Sequence, residues 1–296
     1  MKVIDCFPFF NEKELLELRV HLLNPIVDEF IICESNRTHS GNLKEFTCKK
    51  LIEELNLPKD KIHVIELDLS DDSLVIPNNI DAVNSRESNS SKEIKAWSRE
   101  RLQRDAILEY IKYYSDDTVF VISDCDEIIN PDDLPYFAQV SLSQNLIIKV
   151  SLVLLEGNAN QRMYNKGMPV NWDKSLFVCT KKHLNEVTPT MIRSNVDNKF
   201  GSVQLTQDGK PIEECGWHFT WMGDEERRKA KAESFIHYAN MNAINTLSSN
   251  SMERIANNSN SYILKRYPNS SLPKKIFELE RVKKFLIGET NFTKLV

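Results

Sequence analysis

The sequence has no apolar stretch long enough to cross a bilayer. Its best run, Leu146 to Leu155, is interrupted by Lys149 and falls short of the roughly 18 residues needed, so no membrane span is expected. No signal-peptide core follows Met1; Val3-Ile4-Asp5-Cys6-Phe7 reads instead as a strand entering the fold. These two absences predict a cytoplasmic protein. Excess positive charge is also missing: 38 Lys and Arg against 43 Asp and Glu leave a net charge of -5, no footprint for nucleic acid. The six cysteines form no CxxC pair, which points away from zinc and disulfides and toward free thiols buried in the core. Internal repeats are absent. What remains is a 296-residue chain, 41% hydrophobic, enough to bury the core of one large domain.

The first half alternates strand and helix patterns. Val3 to Phe7, Phe30 to Cys33, Ile62 to Leu67 and Val119 to Ile122 read as strands. Between them, Glu12 to Leu23 (with Leu15, Leu18, Leu22 and Leu23 on one side), Phe46 to Leu55 and Trp97 to Tyr114 read as helices. Apolar runs without alternation indicate strands covered on both faces, as in a parallel sheet flanked by helices. The order predicts an α/β fold with right-handed crossovers. Asp68 to Glu93 is polar and too long for an ordinary connection; it reads as an active-site loop or a disordered segment. The second half is less regular, with strands expected at Asn145 to Leu155, Ser175 to Thr180 and Trp217 to Trp221. Helices are expected from Glu225 to about Leu247 and from about Pro273 to Leu286, with a Ser/Asn-rich hinge at Asn257 to Ser261.

The sharpest feature is Val119-Phe120-Val121-Ile122-Ser123-Asp124-Cys125-Asp126-Glu127, an apolar strand that runs straight into carboxylates. Ligands of open α/β sheets bind beyond the carboxyl ends of strands, and Asp124 with Asp126 suits a hard divalent cation shared with substrate phosphates. The plainer alternative is a solvated acidic turn before the next helix. On the helix from Trp97, Arg99 and Gln103 fall inside the buried arc set by Leu102, Ala106, Tyr110 and Tyr114, with Glu100 and Arg104 at its edge. Buried polar groups need partners, so Arg99, Gln103 and Arg104 are candidates for a nucleotide diphosphate or for the acidic motif itself. Glu34 ends the second strand and reads either as a contact to ribose or base, or as a cap of the next turn. Arg37 to Gly41 would form a loop over a nucleotide. In Gly216-Trp217-His218-Phe219-Thr220-Trp221, alternation puts His218 with Gly216 and Thr220, and the three aromatic residues on the other face. Periodicity by itself favours a satisfied polar histidine over a metal ligand.

Three segments together resemble a known family. Phe7-Pro8-Phe9-Phe10-Asn11-Glu12 through Val27-Asp28-Glu29-Phe30-Ile31-Ile32-Cys33-Glu34-Ser35-Asn36-Arg37-Thr38 is similar to the opening of glycosyltransferase family 17. Ser123-Asp124-Cys125-Asp126-Glu127-Ile128 resembles its acidic motif, and Gly216 to Trp221 its late aromatic motif. The resemblance implies a GT-A-like, Rossmann-type nucleotide-binding sheet with a smaller acceptor-side subregion. The nucleotide half would span about 1–130, the acceptor half about 131–250, and a helical extension 251–296. It implies transfer of N-acetylglucosamine from UDP-N-acetylglucosamine to a glycan or glycoprotein acceptor, with inversion and with Mn²⁺ or Mg²⁺. Asp126 would then bind the metal, Asp124 would contact ribose or metal-bound water, and His218 would become a further ligand. Inversion needs a base for the acceptor hydroxyl; Glu156, Asp224, Glu225 and Glu226 are the candidates. The family's animal members carry a membrane anchor. A chain without one suggests a bacterial or viral source and an acceptor other than an N-glycan. Two rivals stand beside this reading: a non-catalytic nucleotide- or glycan-binding module, and a haloacid-dehalogenase-like phosphatase. The phosphatases place their acidic motif near the N-terminus and expect Thr or Val soon after its second Asp, where this chain has Glu127.

Overall fold

A computed structural model describes residues 1–74, 91–194, 214–223, 225–234 and 262–286. The chain begins with β1 (Val3–Phe9), α1 (Lys13–Leu23), β2 (Glu29–Ser35), α2 (Cys48–Glu54) and β3 (Ile62–Leu67). Next come α3 (Ser91–Asp105), α4 (Leu108–Ile111), β4 (Val119–Ile122), β5 (Glu127–Ile129) and α5 (Leu134–Gln144). Five strands follow: β6 (Ile148–Lys149), β7 (Leu152–Glu156), β8 (Gln161–Asn165), β9 (Met168–Pro169) and β10 (Asn171–Trp172). The described remainder is β11 (Phe177–Thr180), α6 (Lys181–Leu184), α7 (Pro189–Ser194), β12 (Gly216–Thr220), α8 (Glu225–Ser234), β13 (Tyr262–Arg266) and two helical turns at Lys275–Glu278 and Glu280–Lys283.

The first sheet has the order β3-β2-β1-β4-β11-β6. Its first four strands are parallel, and β11 runs antiparallel to both β4 and β6. Its two faces bury separate cores, which is why the strands read as unbroken apolar runs. Val3, Phe7 and Phe9 of β1 pack with Leu15, Leu18 and Leu22 of α1, while Ile4 and Cys6 face Ile107, Ile111 and Phe120. Each such side chain contributes roughly 1.5–3 kcal/mol by leaving water. All six cysteines are buried and unbridged, as expected.

The second sheet, β13-β8-β7-β12-β5 with β10 on β7 and β9 on β8, is built from the later chain. Between the two sheets lies the acidic motif. The chain leaves the first sheet at Ile122, turns through Ser123 to Asp126, and enters the second at Glu127, where β5 pairs with β12. Gly216 permits that pairing: a Cβ on it would lie 2.3 Å from the carbonyl oxygen of Ile128. The α/β expectation is met, although the two halves interleave, because β5 belongs to the second sheet while β6 and β11 return to the first.

Three elements differ from the sequence reading. The helix expected from Trp97 to Tyr114 is two pieces, because i→i−3 bonds from Glu109 N–H to the Ala106 carbonyl and Tyr110 N–H to the Ile107 carbonyl tighten the chain between them. The strand expected from Asn145 to Leu155 is β6 in one sheet and β7 in the other; the chain crosses at Val150 and Ser151, whose backbone groups bond to Leu176 and Cys215. A continuous apolar run cannot reveal such a switch. The expected helical tail contributes a strand as well, β13, antiparallel to β8. The segments 75–90 and 251–261, which hold most of the polar connection and the hinge, lie outside the described residues, as does chain beyond Ser234 toward Leu247. No helix among the described residues is long and apolar enough to cross a membrane.

Candidate active site

The acidic turn is held from behind by one arginine. Arg19 of α1 is fully buried and pairs with Asp5 of β1: Nε donates to Oδ2 at 2.7 Å and Nη2 to Oδ1 at 2.6 Å. Nη2 also donates to the Ser123 hydroxyl at 2.7 Å, and Nη1 to the carbonyls of Asp124 and Glu127 at 2.7 and 2.8 Å. Five N–H groups meet five acceptors, so the planar fork fixes the backbone of the turn. The guanidinium also lies 4.3 Å from the centre of the Phe7 ring.

With its backbone fixed, the turn points its carboxylates into different surroundings. Asp124 meets two guanidiniums, Arg104 at 2.8 Å on Oδ1 and Arg193 at 2.7 Å on Oδ2. Burial pushes its pKa up, but Arg104 and Arg193 outweigh this and hold it well below the usual carboxylate range. Asp126 meets the Lys231 ammonium at 2.9 Å on Oδ2 and His218 Nε2 at 3.6 Å from Oδ1. Burial again acts upward, and Lys231 with His218 brings the carboxyl well below its ordinary value. Glu127 goes the other way: burial, then the charge of Asp124, raises its pKa. Its oxygens accept from Trp172 Nε1 at 2.6 Å, the Ser175 hydroxyl and the Asp124 N–H at 3.1 Å. Glu127 therefore stitches the turn to β10 and to the segment that leads into β11.

Asp126, Glu127 and His218 each offer a ligand atom, all within 4.8 Å of one another. A carboxylate and an imidazole suit a divalent ion, and His218 Nδ1 is buried with no hydrogen-bond partner among the described residues. The Trp172 ring packs on His218, 4.8 Å between centroids. In front of the turn opens a cavity of about 390 Å³, within the range of small-ligand sites. It lies beyond the carboxyl end of β1, where Pro8, Phe9 and Phe10 line it, and later parts of the chain contribute Leu154, Glu156, Met163, Trp172, His218, Thr220 and Trp221 to its lining.

Residues 1–149, the stretch that contains β1, α3 and the whole acidic turn, match the sequence profile of glycosyltransferase family 17. The chain belongs to that family. It is accordingly a glycosyltransferase. No curated protein matches it in sequence. Among solved structures it is similar to mannose-6-phosphate isomerase from Helicobacter pylori, at 12% identity over 63% of this chain and 74% of that one, with a TM-score of 0.35. It is also similar to the galactosyltransferase LgtC in complex with donor and acceptor sugar analogues, at 11% identity over 100% and 95% of the two chains, with a TM-score of 0.33. An active-site mutant of LgtC gives 12% identity, coverage of 68% and 67%, and a TM-score of 0.31. At such TM-scores none of these likenesses bears on what this family 17 chain does.

Of the residues singled out in the sequence, Arg37, Gln103, Arg104, Asp124, Asp126, Glu156 and His218 converge on the cavity. Glu34 does not: its two oxygens accept from Lys44, from the Thr47 N–H and hydroxyl and from the Cys48 N–H, so it caps the start of α2. Arg99 is also spent elsewhere, on the carbonyls of Leu69 and His39 and on Asp71, tying two loops together. Gln103 bridges the Phe9 and Cys33 carbonyls while its oxygen meets His39. Asp224 lies outside the described residues, as does the side chain of Glu225; Glu226 is exposed on α8 and is not among the described residues that line the cavity. His218 and Thr220 share the cavity face as alternation requires, and Trp217 points away to donate to the Ser271 carbonyl. Trp221 breaks the pattern and lines the cavity, because its φ of 54° turns the chain at the strand end.

Sequence reasoning missed Arg193, Lys231, Trp172 and Arg19. For Arg19 a signal existed: it sits four residues after Leu15, on the apolar stripe of α1. The other three carry no local pattern that separates them from surface residues.

Proposed function

We propose that this family 17 chain transfers N-acetylglucosamine from UDP-N-acetylglucosamine to a hydroxyl of a glycan acceptor, with inversion, using Mn²⁺ or Mg²⁺. The observation that carries this reading is the pairing of Asp126 with His218 in the lining of the cavity, beside two arginines and a lysine. Asp126 and His218 would hold the ion, which when bound supplies positive charge where a departing nucleoside diphosphate develops negative charge. Arg104 and Arg193, anchored on Asp124, orient the phosphates, and Asp124 is left to face ribose or metal-bound water. Arg37 and Gln103 line the nucleoside side of the cavity. Glu156, buried at the end of β7, is the base that removes the proton from the acceptor hydroxyl. The second sheet then forms the acceptor side of the site. The family match ends at residue 149, so the roles of Glu156, Arg193, His218 and Lys231 rest on geometry.

The test separates binding from chemistry. UDP with Mn²⁺ raises the melting temperature of the wild-type chain, and Asp126→Ala removes that gain. Glu156→Gln keeps the gain but lowers the transfer rate by about 10²–10⁴-fold. A wild-type melting curve that ignores UDP and Mn²⁺ overturns the donor reading.

A further inference from the structure

Lys231 occupies a position that the reaction has to change. Helix α8 is anchored one turn earlier, where Arg227 pairs with Glu14 of α1. Lys231, four residues on, shares that side of the helix and reaches the acidic turn. Its ammonium lies 2.9 Å from Asp126 Oδ2 and 5.5 Å from the centre of the Trp221 ring. The two partners differ in exposure: Asp126 is 9% exposed at its side chain, Lys231 30%. The carboxylate is thus fixed in the wall while the cation stands on the cavity side of it. Its four-carbon stem makes it the mobile member of the pair. A divalent ion on Asp126 would sit within a few ångströms of that ammonium, and like charges that close repel. One of them has to leave, and a flexible ammonium beside an incoming diphosphate has somewhere to go.

We propose that Lys231 is a donor-binding residue that serves as the counter-ion of Asp126 until metal and donor bind, and moves to the donor's diphosphate when a divalent cation takes the carboxylate. This rests on the metal-dependent reading above. Lys231 then opposes metal binding in the absence of nucleotide and supports nucleotide binding in the presence of metal. A residue that only props up the fold gives no such opposition of signs.

Mn²⁺ affinity is read without nucleotide by the electron paramagnetic resonance signal of the free ion, and UDP affinity at saturating Mn²⁺ by calorimetry. Lys231→Met is expected to bind Mn²⁺ on the order of tenfold more tightly than wild type and UDP on the order of tenfold more weakly. Lys231→Arg, which keeps the charge, is expected to stay near wild type in both. Circular dichroism checks that each variant is folded; should Lys231→Met not fold, Lys231→Gln replaces it. Equal or weaker Mn²⁺ binding by the charge-free variant, with wild type binding the ion, overturns this proposal and leaves the metal reading standing. Absence of Mn²⁺ binding in wild type, with and without UDP, overturns both.

Discussion

Asp124 and Asp126 stand two residues apart on one turn and live in opposite kinds of surroundings. Asp124 lies between two guanidiniums that are themselves braced: Arg104 pairs with Glu100, and α7, which carries Arg193, is tied to α3 by the Thr190 N–H on Asp105. Asp126 has a single flexible ammonium and a histidine that does not come closer than 3.6 Å. The first carboxylate is locked and the second is available. An acidic pair at this spacing therefore need not act as a pair of equivalent ligands. On the proposed reading Asp124 organises the arginines and Asp126 receives the ion, a division that follows from which helix each side faces.

Both sides depend on the same backbone, so the comparison is broken most thoroughly from behind. Arg19→Met leaves Asp5 charged and buried and takes donors from two carbonyls of the turn. Its expected cost is about 3–5 kcal/mol in urea unfolding, together with loss of the UDP and Mn²⁺ effects. The double variant Asp5→Leu, Arg19→Met removes both buried charges and is expected to recover much of that stability without recovering ligand binding. Recovery of both would mean that Arg19 holds up the fold and not the turn. A smaller change separates the two sides. Asp124→Asn is expected to keep Mn²⁺ affinity and raise the KM for donor by on the order of tenfold, because the arginines lose their anchor. An equal loss of Mn²⁺ affinity there would return Asp124 to the metal.

Much of the first sheet was legible because its strands are short, largely apolar and separated by helix-period segments. Ile62–Leu67 and Val119–Ile122 have the limits that their composition suggests. The acidic turn was legible for a related reason, since carboxylates directly after a buried strand have few purposes. Part of the cavity lining was not. Trp172, Arg193 and Lys231 come from three elements distant in sequence, β10, α7 and α8, and no local pattern announces that they meet at the acidic turn. Glu34 and Arg99 mark the converse difficulty. Each is a buried charged residue near a strand end or on a core-facing stripe, as a site residue would be, and each is consumed by backbone groups and side chains of neighbouring loops. Position in the pattern says that such a residue has partners, but not whether they are protein or ligand.

The mildest perturbation is pH, and it tests whether the two carboxylates also resemble each other. Both have a pKa below the ordinary range in the folded chain: burial raises each, and the flanking cations overcome it. Unfolding would restore the ordinary value of about 3.9, so the unfolded chain takes up protons first as pH falls. Their contribution to stability is then full above about pH 5 and fades as pH drops through and below about 4. Glu127 opposes them, since burial and the charge of Asp124 raise its pKa and make the folded state the better proton acceptor on the way down. Wild type is therefore expected to lose stability in acid less steeply than two depressed carboxylates alone would dictate. Thermal unfolding from about pH 7 to about pH 3 reads this directly. The gap between wild type and Asp126→Asn should narrow with falling pH, and so should the gap to Asp124→Asn. A gap to Asp126→Asn that stays constant would mean that its carboxylate contributes nothing as an ion in the folded chain. The contrast between the locked and the available aspartate would then lose its electrostatic basis.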